Sequence, residues 1–108
     1  MSGFNDRERA EESKSAHDAE LTFKATARRN RLLGQWVAAE FLALEGEAAD
    51  AFAKEVVTSD FDKPGDDDVV EFVLKRVADV GGDLSEVRLR HKMAELLRIA
   101  LDQVRSET

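Results

Sequence analysis

The chain of 108 residues is 43% hydrophobic and 36% charged, which suits one domain with a modest hydrophobic core. Its formal net charge of -7 argues against nucleic acid or an anionic membrane as a partner. Cysteine is absent and no apolar run approaches the ~20 residues of a membrane-spanning helix, so disulfides, thiolate metal sites and direct membrane insertion are excluded.

The first twenty residues form a charged segment that offers little to a hydrophobic core. Most residues from Asp6 to Glu20 are charged, and Phe4 is the only aromatic residue of the segment. Asn5 and Glu8 have the spacing of a capping box, which predicts a helix start. A helix of ~15 residues without an apolar stripe is marginal in water. We therefore expect residues 1–16 to be frayed or disordered in the free protein and to order on binding.

A helix with an apolar face is predicted after the charged segment. Its apolar residues recur at steps of three and four, the spacing of one side of an α-helix, and they are Leu32, Leu33, Trp36, Val37, Phe41 and Leu44. We expect Gly46 to end this helix. The next segment, from Glu47 to about Thr58, predicts a short amphipathic helix whose apolar residues are Ala48, Ala51, Phe52, Val56 and Val57.

The second half of the chain predicts two more helices. Pro64-Gly65 marks a loop, and Asp66 is the expected N-cap of a helix that buries Val69, Phe72, Val73, Val77 and Val80. Gly81-Gly82 is expected to end that helix. The last helix begins near Asp83 or Ser85, and its near-heptad apolar seam consists of Leu89, Met93, Leu96, Leu97, Ala100 and Val104.

These elements predict an all-α fold, because a composition with one proline and few aromatic residues suits helices better than sheets. Helices with apolar seams and short connections are expected to pack as a four-helix bundle. We therefore assign residues 1–20 to a flexible or frayed N-terminal helical arm and residues 21–108 to the bundle.

The loop before the third helix partly matches the calcium-binding loop of an EF-hand. Its ligand positions would be occupied by Asp60, Asp62, Asp68 and Glu71. Pro64, however, stands where the template has a further ligand. A Pro-Gly turn that leads into an acidic helix start explains the same residues without a metal. The sequence therefore favours no metal site, with weak calcium binding as the alternative.

Arg28, Arg29 and Arg31 lie close to Trp36 in the sequence, and cations beside an indole can hold a nucleotide through phosphate contacts and stacking. The ordinary explanation places Trp36 in the core and the arginines on the solvated face of the helix. We favour that explanation. Adenine nucleotide binding is the alternative, and no other cofactor is expected.

Catalytic residues are not indicated by the sequence. The two histidines, His17 and His91, are far apart in the chain, and no glycine-rich phosphate loop follows a strand. The many carboxylates fall on faces expected to be solvated, where their pKa values have no reason to move far. We expect a protein that is not an enzyme.

Three motifs resemble one known family. They are Phe4-Asn5-Asp6-Arg7-Glu8-Arg9-Ala10-Glu11, Ala16-His17-Asp18 and Ala27-Arg28-Arg29-Asn30-Arg31-Leu32-Leu33-Gly34-Gln35-Trp36. In these motifs the chain resembles the zeta subunit, the ATPase inhibitor, of alphaproteobacterial F-type ATP synthase. The likeness continues through residues 53–57, 65–69 and 90–97, so it covers nearly the whole chain.

The resemblance implies an inhibitor that blocks ATP hydrolysis and leaves synthesis comparatively free. Its N-terminal segment, roughly Met1 to Ala19, would enter a catalytic interface between the alpha and beta subunits, beside the gamma subunit of the rotor shaft. The bundle would anchor the arm and raise its local concentration. The inhibitory contacts would come from Phe4, Asn5, Asp6, Arg7, Glu8, Arg9, Glu11, Glu12 and Lys14.

The near-heptad seam of the last helix is most simply used up inside one bundle, so we expect a monomer when free. The resemblance implies a cytoplasmic location, peripheral to the inner membrane through the ATP synthase. A generic helical adaptor is the alternative to the inhibitor, because periodicity and composition alone do not name a partner.

Overall fold

The chain forms four helices in the computed structural model, which describes the backbone of residues 2–60 and 65–107 and the side chains of residues 18–60 and 65–107. The helices are α1 (Ser2–Glu40), α2 (Gly46–Ser59), α3 (Asp67–Asp79) and α4 (Glu86–Glu107). No strand occurs in those backbone segments. The predicted all-α, four-helix fold is confirmed. The predicted fraying concerns residues 1–16, whose side chains lie outside this description.

The first helix begins and ends earlier than the sequence predicts. It starts at Ser2, three residues before the expected cap Asn5, and stops at Glu40 instead of Gly46. Ala43 then adopts a φ of 53°, and the amide of Leu44 donates to the carbonyl of Ala38 at 3.0 Å. The apolar spacing continues past the helix because the side chains of the following turn still pack against the core.

The other helix boundaries lie close to the predicted ones. Asp66 is the residue before α3, as expected, although its side chain makes no capping hydrogen bond. The start of α4 is marked by Ser85, whose Oγ accepts a hydrogen bond from the amide of Arg88 at 3.1 Å. Val80 was predicted to be buried, but it follows the end of α3 and is 57% exposed.

The hydrophobic core lies between α1 and the faces of the other three helices. Its main cluster combines side chains of all four helices with Leu84 of the connection before α4. The helical members are Leu33, Val37, Phe52, Val56, Val69, Val70, Val73, Val77, Leu89, Met93 and Leu96. A smaller cluster of Ala25, Ala100 and Val104 joins α1 to the C-terminal half of α4. The seam predicted for the last helix is therefore confirmed, although Leu97 is only half-buried.

One glycine lets α1 and α2 approach closely. A Cβ atom on Gly34 would lie 2.5 Å from the Cα atom of Ala53, closer than non-bonded carbon atoms tolerate. Both residues are fully buried. Gly34 is therefore required by the packing of the two backbones and not by a turn.

Candidate functional site

The segment through which the predicted arm joins the bundle, residues 18–31, is here called the arm root. Leu21 is the first described side chain that packs in a core cluster, where it lies against Ala25 and α4. The preceding described residues, 18–20, are exposed. Lys24 and Glu20 form an exposed ion pair one turn apart at 3.2 Å. Contact between α1 and the rest of the molecule, as far as side chains are described, thus begins at Leu21.

An ion pair ties the arm root to the end of α4. Arg28 Nη2 donates to Glu107 Oε2 at 2.9 Å, a second bond joins Nη1 to Oε1, and Nη1 also reaches Gln103 Oε1 at 3.4 Å. The hydrogen bond to Glu107 raises the pKa of Arg28. The same bond lowers the pKa of the Glu107 carboxyl below its usual value of 4.5. Both groups are accordingly charged at neutral pH.

A second attachment ties the arm root to the connection between α2 and α3. Arg29 donates to both carboxylate oxygens of Asp66, at 3.2 and 2.9 Å, and to Asn30 Oδ1 at 3.0 and 2.8 Å. Asn30 Nδ2 in turn donates to Asp60 Oδ2 at 3.0 Å. Two consecutive residues of α1 therefore hold both ends of that connection.

Arg29 was predicted to lie on the solvated face of the helix, and this prediction is wrong. Only 3% of the residue is exposed, because the helix turns its side chain toward the α2–α3 connection. Burial of a guanidinium is favourable only with charged and hydrogen-bonded partners. Asp66 and Asn30 supply them, and this explains why the Asp66 side chain does not cap α3.

Trp36 lies at the rim of the core and borders a cationic groove. Its ring meets the ring of Phe41 edge to face, with the centroids 5.5 Å apart. Arg88 and Lys92 of α4 approach the indole face at 5.7 and 5.2 Å from its centroid. The groove has a volume of 420 Å³ and is lined by Trp36, Arg88, His91, Lys92, Glu95 and Arg98.

The four residues of the predicted nucleotide site do not line one pocket. Arg28 and Arg31 line a groove beside the arm root, Arg29 is buried, and Trp36 borders the other groove. The cations that line the groove at Trp36, which are Arg88, Lys92 and Arg98, were not predicted as site residues. Their spacing on α4, at positions 88, 92 and 98, was the available signal, because these positions fall on the side away from the apolar seam.

The loop considered for calcium is only partly described. Asp60 accepts its hydrogen bond from Asn30, while Asp68 is half-buried and Glu71 exposed at the start of α3. Asp62 lies outside the described residues. Within the described part of the chain, no group of three or more His, Asp or Glu side chains is arranged to hold a metal ion. The prediction of no metal site thus stays a prediction, with weak calcium binding as its alternative.

The predicted inhibitory residues all belong to the part of α1 that precedes the arm root. Phe4, Asn5, Asp6, Arg7, Glu8, Arg9, Glu11, Glu12 and Lys14 belong to α1, and their side chains lie outside the described residues. The helix that carries these residues is attached to the bundle further along, through contacts of Leu21, Arg28, Arg29 and Asn30.

Comparison with known proteins shows which family and which kind of solved structure this chain is similar to. The family model described as ATPase inhibitor subunit zeta matches residues 1–103. A structure solved by solution NMR is 42% identical in sequence, covers 82% of this chain and 99% of its own chain, and has a TM-score of 0.69. No curated protein matches. No helix in the described segments is long and apolar enough to cross a membrane.

Proposed function

The chain belongs to the ATPase inhibitor subunit zeta family, and we propose that it inhibits ATP hydrolysis by inserting its N-terminal segment into the F-type ATP synthase. The segment, roughly Met1 to Ala19, would occupy a catalytic interface between the alpha and beta subunits, beside the gamma subunit. A block at this position stops the rotor in the direction of hydrolysis and leaves synthesis comparatively free. An inhibitor subunit is a regulatory protein, and the lack of catalytic activity follows as a prediction.

The observation that carries the proposal is the contrast between the two parts of α1. From Leu21 onward the helix buries apolar side chains in both core clusters. Between Asp6 and Glu20 the sequence has no large apolar side chain to bury. A charged helix without an apolar stripe gains little from folding alone. Such a segment gains its stabilising contacts from a partner.

The attachments of the arm root support an anchoring role for the bundle. α1 runs as one helix of 39 residues from the arm into the bundle, so the bundle determines where the arm begins. Arg28 and Arg29 join this element to α4 and to the α2–α3 connection. An arm carried on such an anchor has a high local concentration at its target once the bundle has docked.

The arm has the side chains that a buried interface can use. An apolar pocket for the Phe4 ring would contribute about 2 kcal/mol. Arg7 or Arg9 would gain about 1.5 to 3 kcal/mol from a charge-assisted bond to a carboxylate. The remaining contacts would come from Asn5, Asp6, Glu8, Glu11, Glu12 and Lys14. These gains have to exceed the entropy lost when the arm becomes ordered.

The alternative of a generic adaptor makes a different prediction about partners. Cross-linking of the full chain to purified ATP synthase, followed by identification of the linked subunits, tests the proposed interface. Cross-links from the arm to alpha, beta and gamma are expected, and the protein would then reside at the inner membrane through that complex. If the bundle binds the complex but the arm links to none of these subunits, insertion is wrong.

A substitution in the arm tests the proposed contact. Phe4→Ala should weaken inhibition of ATP hydrolysis by about tenfold or more, because a buried aromatic residue is a common hot spot. Ser15→Ala, also in the arm, serves as the matched control and should change inhibition little. Equal inhibition by both variants would contradict a role of the Phe4 ring.

A second candidate function is weak binding of an adenine nucleotide beside Trp36. The observation that favours it is the groove in which an indole meets Arg88, His91, Lys92 and Arg98. Titration of ATP and ADP should change Trp36 fluorescence, and Lys92→Ala should reduce the response while Lys75→Ala leaves it unchanged. A flat response up to millimolar nucleotide would exclude this function.

A further inference from the structure

A second groove lies beside the arm root, at the opposite end of the bundle from the start of α4. It has a volume of 390 Å³ and is formed by three helices. Its walls include Phe23, Ala27 and Arg31 of α1, Val57 of α2, and Val104 and Glu107 of α4. The proposed insertion of residues 1–19 makes no use of this groove.

Phe23 is an aromatic residue of the groove that is largely exposed to solvent. The residue is 68% exposed, and it is the aromatic member of the exposed large hydrophobic residues in the described part of the chain. One turn further along α1, the small side chain of Ala27 lines the same groove. An exposed ring next to a concave apolar surface is typical of the centre of a protein interface.

The charges around the groove indicate an acidic partner. The charged residues that line the groove are three basic ones, Lys24, Arg28 and Arg31, and one acidic one, Glu107, although the whole chain has a net charge of -7. Arg28 is already paired with Glu107, and Lys24 with Glu20. Arg31, by contrast, makes no hydrogen bond or ion pair with any residue that the structure describes. Its guanidinium is available for a carboxylate of another molecule.

The position of Phe23 connects the groove to the arm. Phe23 follows Ala19 by four residues, which is ~6 Å along a helix axis. A partner that holds the arm up to Ala19 therefore meets the groove directly, with no linker between the two contacts. Binding at one contact raises the effective concentration at the other.

We propose that this groove is a docking surface for an acidic segment of the ATP synthase head, which receives the Phe23 ring in an apolar pocket and pairs a carboxylate with Arg31. The proposal rests on the proposed function, because it takes the same complex as the partner. It adds a contact on the bundle side of the arm, outside the catalytic interface.

The test compares two groove variants with two surface controls in the full chain. Phe23→Ala is matched by Val87→Ala, because Val87 is 69% exposed and lies in the first turn of α4. Arg31→Glu is matched by Lys75→Glu, an exposed position on α3. Each groove variant should raise the concentration for half-inhibition of ATP hydrolysis by about tenfold, while the controls stay within about twofold. All four variants should melt like the wild type.

The outcomes separate this proposal from the proposed function. If Phe4→Ala weakens inhibition but both groove variants behave like their controls, the groove proposal is overturned and arm insertion stands. If the wild type binds the ATP synthase without inhibiting it, arm insertion is overturned, and the dissociation constants of the four variants decide on the groove. A wild type that does not bind overturns both.

Discussion

Arg29 and Asp66, which are 37 positions apart in the sequence, form a two-pronged ion pair with N···O distances of 2.9 and 3.2 Å. The Arg29 side chain is 4% exposed and that of Asp66 is 42% exposed, so the cation is buried and the anion reaches the surface. The pair fixes the α2–α3 connection against the arm root. It is therefore one of the contacts that hold α1 in the bundle, beside the core clusters and the pair of Arg28 with Glu107.

Loss of this pair should destabilise the fold. Arg29→Ala removes a buried guanidinium and leaves Asn30 Oδ1 without its donor, so we expect a loss of about 1–3 kcal/mol in the free energy of unfolding. Arg90→Ala is the control, because Arg90 pairs with Asp67 in an exposed position and its loss should change the free energy of unfolding much less. Urea denaturation followed by circular dichroism measures both. Equal losses in the two variants would mean that the burial of Arg29 does not contribute to the free energy of unfolding.

Gly34→Ala should also destabilise the protein, although alanine is the better helix former. Helix propensity alone predicts a gain of about 0.5–1 kcal/mol. The clash with the Ala53 backbone at 2.5 Å forces α1 and α2 apart, which we expect to cost about 1–3 kcal/mol. The sign of the change in the free energy of unfolding decides between the two effects. A stabilised variant would show that the helices do not pack at this distance.

The ion pair between Arg28 and Glu107 predicts a dependence of stability on pH. The pKa of Glu107 in the folded protein lies below its usual value of 4.5, so the unfolded state binds the proton more readily. The contribution of Glu107 is therefore fully present above pH 4.5 and is lost as the pH falls through the lowered pKa.

Melting temperatures of the wild type and Glu107→Gln measure this contribution. The wild type should melt slightly higher at pH 7, and the difference should disappear at the acid end of the titration. Glu71→Gln, at an exposed position on α3, is the control and should show no such convergence. If the difference in melting temperature between the wild type and Glu107→Gln grows on acidification, the ion pair does not stabilise the fold in the way proposed.

The fold could largely be predicted from the sequence, because the spacing of apolar residues indicates which side of a helix is buried. The seam of α4 from Leu89 to Val104 is an example. The end of α1 could not be predicted, since the turn at Ala43 keeps Phe41 and Leu44 on the core while the helix has already stopped. Apolar spacing reports burial and does not require a helix.

The site was less predictable, because its contacts join residues that are distant in the chain. The burial of Arg29 depends on Asp66, and the surroundings of Trp36 depend on Arg88 and Lys92 of α4. No local pattern reveals such pairs. The motif at Phe4 and the family model matching residues 1–103 point to the function more directly than any contact within the bundle.

In the proposed function, the arm inhibits and the bundle anchors the arm. The most direct test titrates purified ATP synthase with the full chain and with a variant that lacks residues 1–16, while the melting temperature of each is measured. Since the core clusters involve described side chains only from Leu21 onward, the truncated protein should melt almost like the full chain. It should also fail to inhibit ATP hydrolysis. Full inhibition by the truncated protein, or a large drop in its melting temperature, would contradict the claim.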